Sequence, residues 1–297
     1  MKRPLWIGVL VLLAGGLVYG LVVMRREASY WQFVERGDDA LARDDSYAAI
    51  EALSVAIELK PGSMAAYLKR GEAYRRRNEF DAALRDLREA ADLDPLATYP
   101  RELLGDVQYA RAMANAQSSP GLFLRAAERY REFVALDDRS ARGQYKLGLA
   151  SYRAGQVQPA ITALRQAIRL DSRFAEAYYA LGVCLRAAGS REPAIVALER
   201  AVALSPAMLA AREELADFYG ELGRYDAGLT HLEALVALQP NAARARALGL
   251  GYARAGHLDR AVGQLSHAVQ RYPDDAATYV AVGRVWLERA ARGGGRV

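Results

Sequence analysis

With 297 residues, 52% of them apolar and 25% charged, the chain has ample material for a folded core, and no stretch alternates as a strand would, so the class is all-α. The formal charge of +5 comes from 40 basic and 35 acidic residues. Four of the basic residues, Lys2, Arg3, Arg25 and Arg26, flank a single apolar segment. The rest of the chain is close to neutral, which excludes the basic, aromatic-studded face of a nucleic-acid binder.

Leu5 to Met24 carries no charge, and at about 1.5 Å per residue it would reach about 30 Å, the thickness of a bilayer's hydrocarbon core. The spacing predicts a transmembrane helix over 5–24. The end at Met24, Arg25 and Arg26 lacks the small-x-small site of a cleaved signal peptide, so residues 1–29 are expected to be an uncleaved anchor with a short link from Glu27. Gly16 and Gly20, four apart, would suit a weak homodimer contact between two such helices, although glycine is common in membrane segments. The basic residues nearly tie across the segment: Lys2 and Arg3 stand against Arg25, Arg26 and Arg36. The very short basic N-terminus favours a single-pass inner-membrane protein with its remaining chain on the periplasmic side. The Arg25-Arg26 pair leaves the cytoplasmic side open.

From Tyr30 onward one pattern recurs. Tyr145, Gly148, Ala160, Leu164 and Ala167 are followed 34 residues later by Tyr179, Gly182, Ala194, Leu198 and Ala201. The small residues suit two helices that approach closely, since larger side chains there would push the axes apart. Pro159 and Pro193 stand where a second helix would begin, a place where proline is tolerated. The spacing therefore predicts helix, tight turn, helix.

The units fall at 30–63, 64–97, 98–140, 141–174, 175–208, 209–241 and 242–275. A lone helix follows at 276–292, suited to capping, then a flexible tail at 293–297. The first unit has Arg36, and the second Arg70, where the others have leucine. The third carries nine extra residues, placed around 113–121, where Asn115, Ser118, Pro120 and Gly121 offer loop chemistry. The prolines support this count: Pro61 to Pro95 and Pro206 to Pro240 are each 34 apart, and Pro95 to Pro206 is three periods plus the same nine.

This period and residue order resemble the tetratricopeptide (TPR) repeat. The resemblance implies an all-α solenoid of about seven repeats with a capping helix, here preceded by one transmembrane helix. It also implies a membrane-anchored scaffold for protein–protein interaction, of the kind that gathers bacterial envelope-assembly proteins. The lipopolysaccharide group of such scaffolds ends in a four-cysteine metal domain, which is absent here. The alternative is a chaperone-like adaptor that captures client peptides. Its chaperone-tail clamp needs asparagine where this chain has Glu72, Leu149 and Val183, so that clamp is missing.

Nothing in the pattern points to catalysis, a metal or a cofactor. His231, His257 and His267 have no nucleophile or ligand spacing around them, and Cys184 is expected in the core beside Leu181 and Leu185. In TPR proteins the first helices line the groove, with repeat positions 2, 5, 9, 12 and 13 facing a partner. Carried onto this chain, those positions give Tyr109; Arg142, Tyr145, Leu149, Tyr152 and Arg153; Glu176, Tyr179, Val183 and Arg186; then Glu213, Asp217 and Glu221. The resemblance thus implies a protein or peptide partner on an aromatic floor with an arginine rim, and a change to acidic character in the sixth repeat.

Overall fold

The computed structural model describes the backbone of residues 3–115 and 119–293 and the side chains of 12–115 and 119–292. These residues form helices throughout, in two compact units, one up to Gln156 and one from Val157.

The first unit holds α1 (Arg3–Ala42), α2 (Ser46–Leu59), α3 (Met64–Arg76), α4 (Phe80–Leu93), α5 (Thr98–Ala114), α6 (Pro120–Leu136) and α7 (Ala141–Arg153). Consecutive helices pack against one another, and α3 also touches both α1 and α5, so these odd-numbered helices share one layer. The second unit holds α8 (Val157–Leu170), α9 (Ala175–Ala187), α10 (Arg191–Leu204), α11 (Leu209–Glu221), α12 (Tyr225–Leu238), α13 (Ala242–Arg254), α14 (Leu258–Arg271) and α15 (Ala276–Gly293). There Ala281 and Val285 of α15 close the cluster built on Leu258, Ala261 and Leu265.

Why helices turn where they do is local. Between the first and second helix of a repeat, one residue takes a left-handed conformation, at Asp44, Asn78, Gly155, Gly189, Gly223 and Gly256, with φ from 60° to 83°. Only glycine, and at some cost asparagine or aspartate, adopts this readily. The helices are then held close by seams without side chains: a methyl on Gly182 would stand 2.6 Å from Leu198 Cγ, and one on Gly71 2.9 Å from Leu87 Cγ.

Two departures from the leucine pattern have partners. Arg70 places its guanidinium on the Asp86 carboxylate with contacts of 2.7 and 2.9 Å, and reaches Ser54 Oγ at 3.0 Å. Its pKa is pushed up, first by the hydrogen bond to Asp86. Arg36 lies over the ring of Phe33, 5.1 Å from its centroid.

The expected membrane anchor is overturned. Among the described residues no helix is long and apolar enough to cross a membrane. The apolar side chains that are described run from Leu12 to Met24, about 20 Å of helix, and any longer window meets Arg25, Arg26 and Glu27. Of the expected span 5–24, the side chains of 5–11 lie outside the described residues. Nor does a link follow at Glu27. α1 is one unbroken helix of 40 residues, and its basic end is built into the first repeat. Arg26 Nε donates to the Leu59 carbonyl at 2.6 Å, Lys60 pairs with Glu27 at 2.8 Å, and Tyr30 and Ser63 share a buried hydrogen bond of 2.6 Å. The single-pass inner-membrane placement falls with the anchor, and so does the Gly16 and Gly20 helix contact that depended on it.

The extra residues of the third repeat are mostly helical. α5 and α6 each run 17 residues, against 13 in α3, α7 and α9 and 14 in α4, α8 and α10. Residues 116–118 of the expected loop, and 294–297 of the expected tail, lie outside the described residues.

Candidate functional site

The first unit contains a cavity of about 340 Å³ on its odd-helix layer, lined from α3 by Arg75, from α5 by Asp106 and Tyr109, and from α7 by Arg142, Tyr145 and Leu149. Its floor is an ionic network. Lys146 Nζ donates to Glu102 Oε1 at 2.6 Å and to Asp106 Oδ1 at 2.7 Å, and the Tyr130 hydroxyl donates to the same Asp106 oxygen at 2.7 Å. Burial, followed by the Asp106 charge, raises the Tyr130 pKa far above the ordinary phenol value, so the phenol stays a donor. Tyr130 occupies the place where other second helices have leucine, and a methyl on Gly105 would stand 2.5 Å from its ring. The Tyr109 ring meets Phe123 edge-on, 5.4 Å away at 67°.

The charges of this cavity are unequally committed. Arg75 is held in a fork on Glu72 at 2.7 and 2.6 Å, and Lys146 sits between two carboxylates. Arg142 is 76% exposed, with its Nε 3.9 Å from Glu102. It is the loosely held cation of the site.

The fold brings four sequence-predicted residues, Tyr109, Arg142, Tyr145 and Leu149, to this cavity; Tyr152 and Arg153 lie further along α7 and do not line it. In the second unit Tyr179, Val183 and Arg186 stand on α9 and Glu213, Asp217 and Glu221 on α11. Asp217 and Glu221 line a separate space of about 500 Å³ with Leu250, Gly251 and Arg254 of α13. The acids there are largely engaged: Arg186 binds Glu214 at 2.6 Å and also Glu221, and Arg244 binds Glu213 at 2.6 Å. Asp217 has no such partner among the described residues. Two arginines of the flanking repeats, Arg186 and Arg244, thus offset part of the acidic character expected for the sixth repeat.

Arg75, Asp106, Tyr130 and Lys146 were not singled out in the sequence. The signal existed for two of them, because Arg75 is position 12 of the second repeat and Asp106 position 9 of the third. Lys146 and Tyr130 carry no positional signal: Lys146 stands at a position that varies from Glu35 and Lys69 to Leu103 and Ala180 between repeats, and Tyr130 stands where other second helices have leucine.

No group of three or more metal-binding side chains occurs among the described residues. Cys184 is buried, and burial pushes its thiol up to about 12.

Comparisons with known proteins agree with the repeat fold. Family models described as "Tetratricopeptide repeat" match residues 34–98 and 175–208, and one described as "TPR repeat" matches 150–189. A small glutamine-rich tetratricopeptide repeat-containing protein of Mycosarcoma maydis is 31% identical over 106 residues, which is 36% of this chain and 28% of that protein's length. The crystal structure of MamA superposes with a TM-score of 0.53 at 28% identity, over 59% of this chain and 91% of MamA. The C-terminal part of a TPR repeat-containing protein from Cytophaga hutchinsonii reaches a TM-score of 0.68 at 15% identity, over 84% of this chain and 98% of that one. YrrB, "a TPR protein with an unusual peptide-binding site", matches with a TM-score of 0.53 at 21% identity, over 65% of this chain and 95% of YrrB. The family models, the fungal relative and MamA support a scaffold for protein–protein interaction; the last two structures show the fold alone.

Proposed function

Because this chain is a tetratricopeptide repeat protein, we propose that it acts as a non-enzymatic scaffold that holds a partner protein by a segment seated on α3, α5 and α7. The observation that carries the reading is the cavity where Tyr109, Arg142, Tyr145 and Leu149 meet Arg75. Its volume of about 340 Å³ lies at the lower end of the range for binding pockets, room for one or two large side chains of a partner. Tyrosine and arginine are the side chains that most often carry interface energy.

The charge pattern specifies the partner further. Lys146 and Arg75 are already matched by Glu102, Asp106 and Glu72, so they offer little to an incoming anion. Arg142 is the cation with capacity left. The partner segment accordingly inserts an apolar or aromatic side chain against Tyr109, Tyr145 and Leu149 and sets a carboxylate on Arg142, a charge-assisted contact. A matching basic segment at the sixth repeat is not required, since Glu213 and Glu221 have arginine partners within the chain. The envelope-assembly setting rested on an anchor-then-repeats layout, and without that anchor the scaffold reading stands on this site and the repeat fold.

Crosslinking in native cells followed by affinity capture tests the proposal, with wild type compared against a Tyr145→Ala, Leu149→Ala variant whose helicity and melting match. Partners lost from the variant at least tenfold support it. Recovery of the same partners in equal yield from both proteins removes this site as the contact.

A further inference from the structure

A second surface lies in the second unit, on the even-helix side. Between α8 and α10, with α9 beneath, there is a groove of about 920 Å³. Tyr178, Leu181 and Leu185 of α9 form its floor, and Val196 of α10 stands in its wall. Val196 is 68% exposed. The corresponding position of the other second helices holds Glu51, Arg85, Glu128, Thr162, Thr230 or Gly263, none of them a branched aliphatic. A single exposed valine is ordinary. One that replaces a polar or glycine residue in every other repeat, and that continues an apolar floor, is a patch fit for contact.

The charges around the groove have a sign. Glu192 is held by both terminal nitrogens of Arg224, at 2.5 and 3.1 Å. Glu199 accepts from the Tyr219 hydroxyl at 3.0 Å and faces His231 Nε2 at 3.2 Å. The Glu192 charge is matched by Arg224, whereas Glu199 is hydrogen-bonded to a phenol and to an imidazole held below its ordinary pKa, and keeps its charge. Arg165 of α8 and Arg200 of α10 line the same groove. Neither has a hydrogen-bond or ion-pair partner among the described residues. A basic segment entering here would meet two cations against the single uncompensated carboxylate of Glu199, whereas an acidic one would find two unpaired guanidiniums bordering an apolar floor, each able to make a charge-assisted pair.

We propose that this groove is a second docking site, separate from the odd-helix cavity, and that it takes an acidic amphipathic segment of another protein, with aliphatic or aromatic side chains on the α9 floor and carboxylates on Arg165 and Arg200. The seating is a helix or extended chain laid in a groove. Because the two sites lie in different units and share no residue, the proposal stands whether or not the first site binds what has been assigned to it.

The test is fluorescence anisotropy with a fluorescein-labelled peptide of paired leucines and paired glutamates at helical spacing, and a counterpart with every glutamate replaced by lysine. The full chain should bind the glutamate peptide and not the lysine one, more weakly as salt rises. Val196→Asp, and separately the Arg165→Glu, Arg200→Glu pair, should each weaken binding at least tenfold. Both alter exposed side chains, and matched far-UV dichroism and melting establish that they fold. All of these measurements are made with Arg142→Ala and Tyr145→Ala also in place, which removes the odd-helix cavity as a competing site for the same apolar and acidic peptide. Equal binding of the lysine peptide, no binding of the glutamate peptide, or unchanged affinity in the groove variants would each overturn the assignment.

Discussion

Two glycine-to-alanine substitutions separate close packing from helix propensity. Gly182 and Gly263 both lie inside helices, α9 and α14. A methyl on Gly263 meets nothing within 4 Å, while one on Gly182 stands 2.6 Å from Leu198 Cγ, 2.8 Å from Leu198 Cδ2 and 3.2 Å from the Ala194 carbonyl. Propensity alone favours alanine by about 1 kcal/mol at either site. At Gly182 the Leu198 side chain must move by about an ångström to restore normal contact, and Leu198 is fully buried with no free volume to enter. Overpacking of this kind costs about 1–3 kcal/mol, so Gly182→Ala should be destabilising by about 1 kcal/mol net, and Gly182→Leu by more. Gly263→Ala should be stabilising by about 0.5–1 kcal/mol. Urea titrations followed by circular dichroism give both differences. If Gly182→Ala raises the midpoint as Gly263→Ala does, the α9 and α10 backbones do not approach as closely as described, and the seam account fails.

Asp86→Ala should cost about 3 kcal/mol, because it strands the Arg70 charge, and adding Arg70→Leu should recover most of that loss by restoring the leucine of the other repeats; equal stability of the single and double variants in urea would refute this. Burial holds the His231 imidazole below its ordinary pKa, against the opposing pull of Glu199. The unfolded chain therefore binds a proton on acidification before the folded one does, and this residue's effect on stability, absent above about pH 6.5, turns destabilising as pH falls below it. His231→Gln should flatten the drop in melting temperature between pH 7.5 and 5.5, and an unchanged slope would assign that drop elsewhere. Maleimide labelling of Cys184 should be negligible in the native protein and complete in urea, since its thiol is buried and pushed up to about 12; rapid native labelling would place it at the surface.

How much of this was written in the sequence depends on the range of the interaction involved. Helix boundaries are local: a proline at the start of a second helix, a left-handed residue in the turn and a glycine facing a leucine each act within one repeat. The period alone places them. The anchor failed for a related reason. The apolar run ends at Arg25, Arg26 and Glu27, but these residues continue the same helix, and Arg26 and Glu27 bond to Leu59 and Lys60, about one repeat away in sequence.

The site was legible only in part because its positions are periodic and its electrostatics are not. Counting repeat positions finds Tyr109, Arg142, Tyr145 and Leu149, and the same count applied to the two preceding repeats finds Arg75 and Asp106. What the count cannot supply is which charges remain available. Glu213, Glu221 and Arg186 look like exposed groove charges in the sequence, yet each is spoken for by a residue 28 to 35 positions away on a neighbouring repeat. An ion pair between adjacent first helices joins side chains about one period apart, and every repeat offers several at that offset. Geometry alone selects among them. On the two proposals above, recognition turns on arginines that this pairing leaves available, Arg142 at the cavity of the first unit and Arg165 with Arg200 at the groove of the second. Reversing them should change partner choice while the repeats themselves stay folded.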